Sequence, residues 1–378
     1  MANIALQRVI DKYVGGALCL GYGMLHDKKP LDKKDVKEIL VVRLWTLGET
    51  ILTLPMIERL RKEYPHAKIT VLARNNNKEI FKFVDFIDDI LLFENENLRI
   101  LWGMRGHFDL AIDTEPYLRV SGLLARFLSK KQIGFDHGVR GRIYSNRIHY
   151  DDRKHVVELF CDLLKPLGIS YKPEKLVRLK SSDISRKIEN MTGKSLDDIN
   201  IVGMHASTAA SAKYRAWPTD NFVKLIDMLV TRIPNTVVVL TGTPAEHKLN
   251  EDIIKRCSCD HKKVFNLAGM LNFSEFIGLF DCLNLFISND TGPMHLASAQ
   301  NCKTIGLFGP NLPLRFGPYP IDGVQNSTIY HGEKVPCSPC INVHTGQFKK
   351  CRRMKNGTGE CMCLIEPEEV LGFAKRMI

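Results

Sequence analysis

Leu283-Asn-Leu-Phe-Ile-Ser288, Asn289-Asp-Thr-Gly-Pro-Met-His-Leu-Ala297 and Thr304-Ile-Gly-Leu-Phe308 place an apolar run, a turn, a short helical stretch and a second apolar run close together. This reads as strand, tight turn, helix and strand. The turn falls at a helix N-terminus, where unpaired N–H groups and the positive end of the helix dipole make a seat for phosphate. Gly292 lets the backbone approach a ligand, and Pro293 suits a first helical turn because it has no N–H to lose. An ordinary turn capped by Asp290 is the plain alternative.

The same alternation extends in both directions. Upstream, strands are predicted over 201–205, 236–241 and 264–267, with helices opened by Trp217-Pro-Thr-Asp220 and by Pro244. Further upstream, strands are predicted over 39–44, 69–73, 90–93 and 108–112, with helices over 51–62 and 156–167, the last closed by Gly168. Strands alternating with helices at this spacing predict two α/β halves, each a doubly wound parallel sheet. The expected division is an N-terminal amphipathic extension (1–36), a first Rossmann-like domain (37–172), a linker (173–199), a second Rossmann-like domain (200–335), a cysteine-rich segment (336–364) and a C-terminal helix (365–378).

Composition narrows the class. With 378 residues, 44% hydrophobic and 25% charged, the chain suits about two globular domains and excludes large-scale disorder. A net charge of +11 points to an anionic partner: nucleotide, phosphorylated glycan, membrane face or nucleic acid. Eleven cysteines, an odd number with several in apolar runs, fit a reducing compartment, so a cytoplasmic location is expected. Leu6, Val9, Ile10, Tyr13, Val14, Ala17 and Leu18 recur at helical spacing opposite Arg8, Asp11 and Lys12, and Lys28, Lys29, Lys33, Lys34 and Lys37 follow. Such a helix suits either an anionic membrane surface or packing against its own domain.

In parallel sheets ligands bind beyond the carboxyl ends of the strands, so the loops there hold the candidate chemistry. Gly48 and Glu49 follow the first strand, and Glu49 is either a general base or a favourable first-turn acid. Ser207, Thr208, Lys213 and Arg215 suit a diphosphate, although such residues are common in loops. His205 ends its strand as a structural hydrogen-bonder or a direct participant. Glu246 is placed for ribose hydroxyls or as a helix acid, and Met270 could border a purine. Residues 115–150 hold seven cations, among them Arg119, Arg126, Arg140 and Arg142, and two acids. That stretch is a landing surface for an anionic acceptor or a solvated basic face.

Together, Ile39-Leu-Val-Val-Arg-Leu-Trp-Thr-Leu-Gly48, Gln132-Ile-Gly-Phe135, His205-Ala-Ser-Thr208 with Arg215-Ala-Trp-Pro218, and Asn289 to Ala297 resemble the heptosyltransferases of glycosyltransferase family nine. The resemblance implies a GT-B fold, two Rossmann-like doubly wound domains facing across a cleft. It also implies inverting transfer of a sugar, heptose by the family's habit, from a nucleoside-diphosphate donor such as ADP-heptose to a lipopolysaccharide-core or similar lipid-linked glycan, with no cofactor required for catalysis. Carried onto this chain, Glu49 stands where the family has an aspartate base. Thr208, Arg215, Thr291 and Gly292 stabilise the departing diphosphate, and His295 bonds the phosphate or holds the turn. Two other readings stay open: a sugar-nucleotide epimerase or hydrolase of the same fold, and a non-catalytic binder of anionic glycans. Cys337-Ser-Pro-Cys340, Cys351, Cys361 and Cys363 admit structural zinc, disulfides or free thiols, or an iron–sulfur cluster.

Overall fold

A computed structural model describes residues 11–24, 36–342, 344, 347–348, 351–355 and 357–378. Expectations for residues 1–10 and for Lys28, Lys29, Lys33 and Lys34 lie outside these. The chain divides into two compact units. The first takes in the described residues up to Glu174 together with His344; the second takes in the remainder.

Unit 1 contains strands β1 (Glu38–Val42), β2 (Lys68–Ala73), β3 (Asp89–Leu92), β4 (Phe108–Asp113), β5 (Ser129–Phe135) and β6 (Asn146–Ile148). They form one sheet in the order 3-2-1-4-5-6, and every pairing is parallel. Ile39, Leu40, Val41 and Val42 have no exposed surface, as befits a central parallel strand covered on both faces. Helix α1 (Gly16–Met24) precedes the sheet; α2 (Leu47–Glu63), α3 (Leu98–Gly103), α4 (Arg119–Leu128) and α5 (Val156–Asp162) follow in turn. The end of the expected 156–167 helix is a separate 3₁₀ turn, Lys165–Leu167, stopped by Gly168 at φ 76°.

The N-terminal segment packs through its less apolar side. Asp11 accepts the N–H groups of Arg119 and Val120 at 3.2 and 2.8 Å, so its carboxylate sits at the positive end of α4. Cys19 is fully buried beside Ile143 and Tyr144. Tyr13, Val14, Leu18 and Leu20 are left in solvent, Tyr13 at 66% and Leu18 at 48%.

Unit 2 contains β7 (Asn200–His205), β8 (Thr236–Leu240), β9 (Val264–Asn266), β10 (Leu285–Asn289), β11 (Thr304–Phe308) and β12 (Asn326–Tyr330). Their order, 9-8-7-10-11-12, again all parallel, is that of unit 1 shifted by six strands. Its helices include α6 (Ser185–Thr192), α7 (Thr219–Arg232), α8 (His247–Arg256), α9 (Phe273–Leu279), α10 (Gly292–Ala299) and the C-terminal α11 (Pro367–Met377). Within the stretch expected as a linker, Arg178 donates to Gln300 O at 3.1 Å and pairs with Asp281 at 2.7 Å, which holds that segment on unit 2. Val370, Leu371, Ala374 and Met377 of α11 join the core beneath α7, and Trp217 Nε1 donates to Ile365 O at 2.9 Å.

Candidate active site

In a 3-2-1-4-5-6 sheet the chain leaves β1 and β4 in opposite directions, and the loops after these strands border a crevice. In unit 1 those loops carry a charged cluster. Thr46 caps α2 with φ at 51°, a left-handed conformation uncommon outside glycine, and its Oγ1 accepts the Glu49 N–H at 3.4 Å. Glu49 thus sits in the first turn of α2. One carboxylate oxygen takes a short hydrogen bond from Arg43 Nη2, and Oε1 lies 3.2 Å from Nε2 of His344. Arg43 has no exposed surface; it also donates to Trp45 O at 2.9 Å and lies 3.6 Å from Glu115, whose Oε1 accepts the N–H groups of Leu44 and Trp45.

The two carboxyls diverge. Burial would raise Glu49, but the charges and hydrogen bonds of His344 and Arg43 overcome it and hold the pKa at about 2. Burial dominates at Glu115 and, with the nearby Glu49 and Asp113 charges against the pull of Arg43, takes it to about 7. At neutral pH Glu49 is therefore an anion within reach of solvent, its side chain 14% exposed.

Arg140 departs from the expected acceptor surface. It is 2% exposed and donates to Asp113 at 2.7 Å and to Glu115 O, while Tyr144 Oη donates to the same Asp113 oxygen at 2.7 Å. An acid at the end of β4 draws the guanidinium inward and commits its charge there. Arg142 is exposed, Arg126 is half-buried, and Arg119 lies 3.8 Å from Asp11.

In unit 2 the corresponding loops, after β7 and β10, are fastened by neutral groups. Asn289 donates to Ala206 O at 3.0 Å and accepts the Trp217 N–H at 2.9 Å. His205 contacts Thr241 Oγ1 at 3.3 Å and Ser207 Oγ at 3.0 Å, and burial lowers its pKa, favouring the neutral ring. Ser207 also donates to Glu246, whose other oxygen accepts from Thr243 N at 2.6 Å in a capping box. Burial alone would raise the Glu246 pKa; the hydrogen bonds from Ser207 and Thr243 bring it below the ordinary value.

The Thr291 side chain makes no capping bond to α10; its hydroxyl meets Ser288 Oγ at 3.0 Å and Asn289 O at 3.3 Å. The first turn of α10, with Gly292 and Pro293, is therefore without a side-chain cap from Thr291. Asp290 accepts from Asn311 at 2.9 Å and from Arg215 at 3.5 Å. Thr208 donates to Ala212 O at 3.3 Å, Lys213 is exposed and His295 is buried. Met270, 57% exposed, follows Gly269 at φ 77°.

None of Cys337, Cys340, Cys351, Cys361 and Cys363 forms a disulfide. Cys361 is buried, and burial, reinforced by the nearby Cys340, Cys351 and Cys337, pushes its thiol up to about 12. Among the described residues, the group of three metal-capable side chains with ligand atoms within 4.8 Å of one another is Asp227, Cys257 and Cys259. There the carboxylate already accepts from Ser258 N, Ser258 Oγ and Cys259 N at 2.8 to 2.9 Å.

Sequence reasoning missed Arg43, Glu115, Asp113, Asn289, Asn311 and His344 as site residues. Arg43 and Asn289 sat inside quoted motifs. His344 carried no signal, being 295 positions from its partner.

Two six-stranded parallel sheets, each with polar loops at the carboxyl edge, define a two-domain α/β protein of the doubly wound class. Residues 99–347 match glycosyltransferase family 9 (heptosyltransferase), and the chain belongs to that family and is a glycosyltransferase. It is 28% identical over 282 residues to lipopolysaccharide heptosyltransferase 3 of Escherichia coli K12, covering 69% of this chain and 79% of that protein. The fold matches a family 9 glycosyltransferase from Veillonella parvula with a TM-score of 0.71 at 21% identity, covering 92% and 98% of the two chains. It also matches E. coli heptosyltransferase WaaC with ADP-2-deoxy-2-fluoro heptose, with a TM-score of 0.64 at 16% identity, covering 89% and 99%. These likenesses establish the two-domain GT-B fold.

Proposed function

We propose that this enzyme transfers a heptose from ADP-heptose to a hydroxyl of a lipopolysaccharide-core glycan, inverting the anomeric centre, with Glu49 as the base. The observation that carries the reading is an ionised, solvent-reachable Glu49 at the β1–α2 turn of a family 9 chain. The printed functions of the E. coli relative and the ligand of the WaaC structure support the sugar and the nucleotide.

In the reaction the acceptor oxygen bonds to the anomeric carbon as the bond from that carbon to the diphosphate oxygen breaks, through an oxocarbenium-like state. The acceptor proton passes to Glu49, and ADP leaves with the bonding electrons. A base of low pKa takes that proton late, once the attacking oxygen has become acidic through bond formation. The α10 N-terminus, Thr291 and Arg215 receive the charge that gathers on the diphosphate, with Ser207, Thr208, Lys213 and His295 nearby in sequence or structure. Glu246 serves the ribose after exchanging its Ser207 contact, and Met270 borders the adenine. Arg126 and Arg142 attract the acceptor's phosphates.

The outward apolar strip of Tyr13, Val14, Leu18 and Leu20, with Lys12 and Arg119 beside it, rests on an anionic bilayer at the cytoplasmic face, where a lipid-linked acceptor is found. Among the described residues no helix is long and apolar enough to cross a membrane. Co-sedimentation with phosphatidylglycerol vesicles tests this; equal recovery of wild type and a Tyr13→Ser, Leu18→Ser double variant would count against it.

Incubating the purified enzyme with ADP-heptose and a heptose-deficient core acceptor tests the main reading. ADP release that depends on acceptor, with a product of inverted anomeric configuration, is expected. Donor turnover without acceptor would instead favour an epimerase or hydrolase.

A further inference from the structure

Glu49 owes its environment to a residue far away in sequence. His344 lies between Cys340 and Cys351 in a segment whose remaining described residues belong to unit 2, yet it is counted with unit 1 and its side chain is 1% exposed. Burying an imidazole in unit 1 requires a compensating interaction, and Nε2 finds it 3.2 Å from Glu49 Oε1. Phe160, tilted at 38°, and Tyr150, edge-on at 60°, pack against the ring with centroids 5.9 Å away, which limits its freedom to swing off the carboxylate. We propose that His344 is a positioning residue for the transfer reaction, fixing the orientation and ionisation of Glu49 from the cysteine-rich segment.

Two consequences follow from the geometry. Arg43 holds one oxygen of Glu49 and His344 the other, so the carboxyl plane is set by two partners from opposite ends of the chain. Orientation of a base to within a few tenths of an ångström governs its rate contribution. In addition, among the described charged groups, Arg43 and His344 favour the Glu49 anion, whereas the neighbouring Glu115 couples to it as a second acid. Tyr150 faces the imidazole as a ring contact. Removing His344 thus leaves, among the described residues, Arg43 to offset burial, and Glu49 must titrate at higher pH.

This inference rests on Glu49 being the base, and the experiment separates the two ideas. The pH dependence of kcat/KM is measured for wild type, His344→Ala, His344→Gln and Glu49→Gln. His344→Ala is expected to lower kcat/KM about tenfold and to move the acidic limb up by a unit or more. His344→Gln, which keeps a hydrogen-bond donor but no charge, recovers most of kcat while the limb stays displaced. An unmoved limb in both variants overturns the proposal, whatever happens to the rate. An inactive Glu49→Gln beside His344 variants with wild-type profiles overturns this inference alone; a fully active Glu49→Gln overturns the base assignment. A measurement independent of turnover is carboxyl-carbon NMR of labelled glutamate, with the Glu49 resonance assigned by its loss in Glu49→Gln. Followed from neutral pH downward, that resonance should begin to titrate at a higher pH in His344→Ala than in wild type; identical curves sink the proposal.

Discussion

The two sheets share one strand order, yet their carboxyl edges are fastened differently, one mainly by close buried charges and the other mainly by neutral groups. In unit 1 the ends of β1, β4 and β5 are joined by charge: Arg43 with Glu49 and Glu115, and Arg140 with Asp113. In unit 2 the amide of Asn289 joins the loops after β7 and β10 beside one long Arg215–Asp290 pair, and His205, Ser207 and Thr241 add neutral contacts at the ends of β7 and β8. Buried charges fix a carboxylate in one ionisation state, which suits a group that must take a proton. Neutral staples add little field of their own, which leaves helix N–H groups and one partly exposed arginine to meet an anion. The topology sets where each site lies, and the side chains at the strand ends set what it does.

The sharpest break of this contrast is Glu49→Gln. It is expected to lower transfer about a thousandfold while leaving the thermal shift caused by ADP unchanged, because the proposed nucleotide contacts all lie in unit 2. A loss of ADP binding in parallel would mean the chemistry of the two units is not divided in this way.

Next in size is Arg43→Met. A buried carboxylate deprived of its partner is costly, so unfolding by urea should show a loss of about 3–5 kcal/mol. In unit 2, Asn289→Ala removes neutral hydrogen bonds and should cost less, about 1–3 kcal/mol. Equal losses would erase the distinction between charged and neutral fastening.

How much of this was legible depends on the residue type. Runs such as Ile39 to Val42 and Leu285 to Ser288 announce buried parallel strands, and the turns after them announce Glu49 and Thr291. Strands β5, β6 and β12 were not read, because Lys130, Lys131 and Gln132 in the first, Asn146 and Arg147 in the second, and Asn326, Ser327 and Thr328 in the third mask the apolar pattern. Arg140 counted as surface charge, since composition cannot reveal that Asp113 waits at the end of β4. Outward-facing Tyr13 and Leu18 were visible as one face of a helix, but which face turns inward was decided by Asp11 reaching the N-terminus of α4. His344 was illegible because its partner is set by the path of the chain.

A smaller effect, on the order of 2 kcal/mol, should come from Glu115→Gln. The folded pKa of Glu115 is raised to about 7, so folding favours its protonated form. The stability tied to that form is complete below the ordinary carboxyl range and lost as pH rises through about 7. Gln keeps an acceptor for the Leu44 and Trp45 N–H groups and cannot ionise. Its stability relative to wild type should therefore improve between pH 5 and pH 8, as read by urea midpoints; a pH-independent difference would deny that Glu115 titrates in this window.

The smallest effect sharpens the unit 2 side. Arg215 is held by Asp290 at 3.5 Å, a long contact on a partly exposed side chain that costs little to give up. A diphosphate offers the guanidinium two oxygens in one plane and should displace Asp290, which retains Asn311 as a donor. Arg215→Ala should then weaken ADP binding about tenfold and AMP binding much less, because only ADP has the terminal phosphate. Asp290→Asn should act in the reverse direction, since it removes a competing carboxylate and keeps an oxygen for Asn311. Calorimetric titration of both nucleotides against both variants checks this, and equal weakening of AMP and ADP by Arg215→Ala would move the arginine from the terminal phosphate to the inner one.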